Sequence, residues 1–159
     1  MDKKEFFART MHTPDDPVRA QQRAALRDTS KTLIPLHRAL IEAAKSDYAA
    51  ATMMGTTPTQ LLRLLTDDPF FAWLKPVTAL IVDIDEMARV DFTPEDVAKI
   101  ADRIDHLFGL SGEASFAEKY VPVLQRDVDV AVGHAALRQA LRKLRGESDP
   151  LLPPERTPS

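Results

Sequence analysis

Cysteine does not occur in the 159 residues, which removes disulfide scaffolds, thiolate metal sites and thiol nucleophiles and fits a reducing compartment. Glycine is scarce, and its five copies are dispersed; neither Gly-x-x-x-x-Gly-Lys nor Gly-x-Gly-x-x-Gly is present, so the common phosphate-cradling loops are missing. A Gly-x-Ser-x-Gly nucleophile elbow is also absent. His-Glu-x-x-His is not found, and neither is the Glu-x-x-His spacing of carboxylate-bridged metal bundles. No run approaches the roughly 18 apolar residues of a membrane-spanning helix. The N-terminal MDKKEFFARTMHTPDD alternates charge with aromatics and is no secretory signal, so a soluble cytoplasmic protein is expected. Excess positive charge is missing as well: 21 Lys and Arg against 24 Asp and Glu give a net charge of -3, which offers nucleic acid no general attraction.

What is present is helical punctuation. At 44% hydrophobic content the chain can bury a full core without cross-links. Asp16-Pro17 starts a long amphipathic helix whose inward face carries Leu26, Leu33, Leu40, Ala44, Tyr48 and Ala51 and which ends before Gly55. Thr57-Pro58-Thr59-Gln60 is a capping box opening a short leucine-rich helix. Asp68-Pro69 opens the segment PFFAWLKPVTALIVDIDEMA, which holds the chain's only Trp and reads as a helix apolar around most of its circumference, the central post of a bundle. Thr93-Pro94 starts the cleanest stripe, Val97, Ile100, Ala101, Ile104, Leu107 and Phe108. Phe116 to Arg126 predicts a shorter helix, and Asp127 caps a last one through Leu137, Leu141 and Leu144. The alternating Asp127 to Val132 stretch is the one strand-like signal, and its continuation into AALRQALRKL favours helix.

The fold class is therefore all-α: a compact bundle of five or six helices, several kinked by proline. Its expected limits are residues 16–146, between a mobile leader, 1–15, and a disordered tail, 147–159, with four prolines in thirteen residues. Pro35, Pro76 and Pro122 fall inside otherwise helical segments, where each kinks or breaks the helix. Such kinks also leave room for a ligand between helices.

Histidines come next, because imidazole ligates metal or haem and titrates near neutrality. His12 lies in the leader and His106 sits beside Asp102 and Asp105 on a polar face. His37 and His134 occupy inward stripes of two long helices. The plain reading is two imidazoles hydrogen-bonded at the edge of the core; the sharper one is a cofactor pocket lined by His37, Tyr48, Trp73 and His134. The carboxylates from Asp83 to Asp96 read as a solvated face. Asp85, between Ile84 and Met87, is the exception that needs a partner, Arg38, Arg89 or a histidine; a paired carboxylate there is ordinarily structural, and with His37 or His134 it would form an acid–base pair. Arg19, Arg23, Arg27 and Lys31 recur every four residues as a basic ridge, suited to phosphate, an acidic protein face or an anionic membrane surface, or, as its ordinary use, to covering the core or pairing with the acidic segment from Asp83 to Asp96. No aromatics interleave it, which argues against nucleic acid.

The functional expectation is a non-enzymatic helical interaction or regulatory module acting on a protein partner or by self-association. The alternative is a small-molecule or cofactor (haem or metal) sensor with a pocket between kinked helices. An acid–base enzyme is third, and no catalytic or metal-ligating residues are assigned.

Overall fold

The structure, a computed structural model, describes residues 16–109 and 114–146; the expected leader and tail lie outside them. Six α-helices and one 3-10 helix account for the described residues, with no strands among them. They are α1 (Pro17–Thr52), α2 (Pro58–Asp67), the 3-10 helix (Pro69–Leu74), α3 (Lys75–Arg89), α4 (Pro94–Phe108), α5 (Ala114–Arg126) and α6 (Val128–Leu144). The all-α bundle is as expected, and the stretch from Asp127 to Val132 is helical.

Each start follows from local chemistry. The Asp16 carboxylate accepts from the Arg19 amide at 2.8 Å. Reciprocal capping boxes close at Thr57 with Gln60 and at Thr93 with Asp96, and Asp127 accepts from the Val130 amide at 3.2 Å. Proline at the first helical position of α1, α2 and α4 loses no hydrogen bond there. α1 ends at Met53, whose φ of 60° is the only positive value among described non-glycine residues, so the turn comes two residues before Gly55.

The central post is α1, not the segment after Asp68. Leu26, Leu33, Leu36 and Leu40 are at most 1% exposed, and α1 packs against both α3 and α6. Truncating any of these leucines to alanine costs about 2–5 kcal/mol. The expected single helix from Pro69 is broken in two. Pro76 has no amide to donate to the Ala72 carbonyl; the Lys75 amide takes that carbonyl instead, one residue early, which is the 3-10 pattern. α3 then buries only Val77, Leu80, Ile84 and Ala88 and turns Thr78, Val82, Asp83, Asp85 and Glu86 to solvent. Pro35 and Pro122 do lie inside helices, α1 and α5.

Around the core, Phe108, Phe116 and Tyr120 pack as a ring cluster with centroids 5.1–5.4 Å apart, and Trp73 joins it at 5.8 Å from Phe116. Charged pairs strap the outside. Arg103 reaches Asp83 at 2.8 Å, Arg145 reaches Asp102 at 2.9 Å, and Arg126 pairs with Asp47. These side chains are a third or more exposed, so each contributes about 0–1 kcal/mol.

Candidate functional site

The two inward histidines do not meet. His37, half-buried on α1, shares a hydrogen bond through Nε2 with the Thr78 hydroxyl of α3 at 3.0 Å. His134, half-buried on α6, is bonded through Nδ1 to the Tyr120 hydroxyl of α5 at 2.7 Å. Burial pushes the pKa of the Tyr120 phenol above its usual range, so the phenol stays neutral and either donates to Nδ1 or accepts from it according to the imidazole tautomer. Asp85 is exposed and faces Arg89, one helical turn on, at 3.6 Å. The acid–base pair weighed for Asp85 with His37 or His134 therefore has no geometry behind it. His106 is exposed, as its polar face predicted, and His12 lies outside the described residues.

Burial lowers the pKa of both His37 and His134 from 6.5, and the nearby Arg138 cation adds to the shift at His134. A histidine lowered in the folded state binds protons more readily when unfolded. Its contribution to stability is complete above 6.5, the unfolded value, and is lost as pH falls through the lowered folded values. The expected result is a fall in melting temperature between about pH 7.5 and about pH 5, reduced in the His37→Gln/His134→Gln variant. NMR titration of the two imidazoles should give midpoints below 6.5; a midpoint at or above that value would contradict the assignment.

Tyr48 and Trp73 are also apart from the histidines in their contacts. Tyr48 packs against Phe70 and Phe71, each at 5.5 Å, whereas Trp73 lies against Phe116. Of the four residues expected to line one pocket, the cleft between α1 and α2 takes Tyr48 alone. Among the described residues no three His, Asp or Glu side chains gather closely enough to hold a metal ion.

The basic ridge divides in the middle. Arg19 donates to the Phe92 carbonyl at 2.7 Å and pairs with Asp91 at 2.9 Å. Arg23 is buried and donates to the Ala88 and Val90 carbonyls. Both guanidinium groups lie over the Phe92 ring, 5.6 and 5.0 Å from its centre. Arg27 and Lys31 remain exposed. Half of the ridge thus fastens α1 to the end of α3 and its connection to α4: Arg19 pairs with Asp91 of the acidic segment, whereas Arg23 binds backbone carbonyls.

Two features were not singled out from the sequence. The first is a groove of about 400 Å³ between α1 and α6, lined by Pro35, Arg38, Glu42, Asp127, Asp129 and Val132 among others. Val132 in its lining is 64% exposed, and Val128, one turn earlier on α6, is 77% exposed. The signal was the alternation itself: read as helix, Val130 turns inward while Val128 and Val132, four apart, share the outer face. The second is the α1–α2 cleft, about 280 Å³, whose polar lining includes Thr56 and Arg63. A further depression between α3 and α4 carries Asp102 and Arg103, but these are already spent on Arg145 and Asp83. No helix among the described residues is long and apolar enough to cross a membrane.

No family model matches the chain, and comparison with the curated proteins and with the solved structures gives no match to either.

Proposed function

We propose that this protein is a non-enzymatic, cytoplasmic interaction module that works by self-association through the face shared by α1 and α6. One observation carries the reading: the two longest helices among the described residues, 36 and 17 residues, enclose the groove at Pro35, in whose lining Val132 is 64% exposed, while Val128, one turn earlier on α6, is 77% exposed. Val128 and Val132 are joined on the outer face of α6 by Ala131 and Ala135, small residues that allow a second helix to come close. The rim carries both signs, Arg38 against Glu42, Asp127 and Asp129. A two-fold contact presents the same patch on both copies and must be complementary to itself; Arg38 of one copy opposite Asp129 of the other meets that condition.

Light scattering over micromolar to millimolar concentrations is the test. A dimer is expected, and Val132→Glu should weaken it by at least about tenfold, or about 1.4 kcal/mol, with unchanged helical circular dichroism. A wild-type protein that stays monomeric throughout, or a dimer indifferent to Val132→Glu, would remove this reading. The second reading, a small-molecule sensor, draws support from the α1–α2 cleft and none from the histidines, each of which is bonded through one ring nitrogen to a different helix.

A further inference from the structure

We infer that the cleft between the end of α1 and α2 is a binding site for a small organic carboxylate, one carboxyl group on an aromatic or aliphatic ring. Tyr48, Met54 and Leu64 form its apolar wall, and Thr56, Thr59, Gln60 and Arg63 its polar one. Its volume, about 280 Å³, stands at the small end of ligand pockets, which suits a single ring.

The polar wall is rich in donors and contains no carboxylate. The Arg63 guanidinium, a planar fork of donors with no acceptor, is exposed and forms no ion pair with a described residue. The Gln60 Oε1 already accepts from the Thr57 amide at 3.0 Å, so the end of that side chain left for a ligand is its NH2. α2 and α4 are built on the same Thr-Pro capping box, yet α4 places Glu95 and Asp96 in its first turn and α2 places no acid there. The positive end of the α2 dipole is thus left without a compensating charge.

An independent observation points to a missing partner. The Thr56 hydroxyl is buried and has no hydrogen-bond partner among the described residues, a condition that native structures rarely tolerate without a ligand, ion or water to relieve it. Threonine has two other staggered positions for its hydroxyl, and a carboxylate offers several lone pairs to receive it. Arginine binds such a group through two parallel hydrogen bonds, while the ring lies against Tyr48. This inference is independent of the self-association face, which lies on α1 and α6.

The test titrates benzoate and phenylacetate into the isotope-labelled protein, with benzamide and phenylacetamide as uncharged matches. Saturable NMR shifts are expected at Thr56, Thr59, Gln60 and Arg63 at millimolar concentrations or below, with the amides at least about tenfold weaker. Arg63→Gln should weaken carboxylate binding by a similar factor without a change in melting temperature, because its side chain is exposed. Thr56→Val should raise the melting temperature of the free protein, by removing the unpartnered hydroxyl, and at the same time reduce benzoate affinity. Val132→Glu should bind benzoate as the wild type does. Absence of saturable shifts at these residues, equal binding of acids and amides, or full affinity in Arg63→Gln would each overturn the assignment.

Discussion

Arg23→Met is expected to destabilise the protein by about 3 kcal/mol, a drop of roughly 6–12 °C in melting temperature for a chain of this size. The last carbonyls of any helix lack amide partners from within it, and the end of α3 is buried on one side, with Ala88 3% exposed and Phe92 2% exposed, while Val90 between them is 53% exposed. Arg23 fills the gap from α1, donating to the carbonyls of Ala88 and Val90 and lying over the Phe92 ring. Methionine keeps most of the aliphatic bulk but leaves those acceptors without the guanidinium. Hydrogen bonds from a charged donor contribute about 1.5–3 kcal/mol each, and the two here are not additive. Both bonds come from one nitrogen, Nη1, so an ammonium has donors enough, but Arg23→Lys should recover only part of the loss because it lacks the planar guanidinium that lies over the Phe92 ring. Arg19→Met, at a side chain 37% exposed, should cost no more than about 1 kcal/mol. Urea unfolding of the three variants checks the order. Equal effects at positions 19 and 23 would mean that the buried clamp contributes nothing special.

That clamp also marks the boundary of what was legible in the sequence. The helix starts at Asp16, Thr57, Thr93 and Asp127 were readable because a cap is a contact between residues three apart. The stripes of α4 and α1 were readable because the period of a helix is local. The segment from Pro69 misled for a specific reason. Its first six residues are 3-10, turning about 120° per residue, and the remainder is α, turning about 100°. Phe70, Phe71 and Trp73 plotted on one wheel with Val77 to Met87 therefore spread around the whole circumference and imitate a helix buried on every side. Two separate phases each give an ordinary amphipathic face. The proline responsible, Pro76, was in view, but whether it kinks a helix or divides one depends on whether the Lys75 amide finds Ala72. Partners distant in sequence could not be read at all. His37 was placed on an inward stripe, but Thr78 is 41 residues away, and nothing local distinguishes an imidazole bonded to threonine from one bound to a ligand. Thr56 and Arg63 were passed over because their interest lies in partners they do not have, visible only once the surrounding atoms are placed.

The same limit applies to Gly133, and here the expected effect is again large. A Cβ at this position would stand 3.1 Å from Leu36 Cδ1, 3.2 Å from Cβ and 3.4 Å from Cα. Leu36 is 1% exposed and enclosed by the core, so it has little room to retreat. Glycine within a helix ordinarily costs about 1 kcal/mol relative to alanine, and Gly133→Ala would be stabilising if propensity alone decided. Contact with Leu36 opposes that gain, and Gly133→Ala is expected to come out neutral or destabilising by up to about 1 kcal/mol. Gly133→Leu adds the same crowding at Leu36 with a longer side chain, only part of which the groove that Gly133 lines can take, and is expected to cost about 1–3 kcal/mol. The cause is separable from propensity by a double-mutant cycle. Leu36→Ala alone opens a cavity and should cost about 2–5 kcal/mol, but in the Gly133→Ala background the new methyl can occupy part of that space. A favourable coupling of about 0.5 kcal/mol or more is therefore expected. Strict additivity would show that the close approach of α1 and α6 at Gly133 exerts no steric control over their packing.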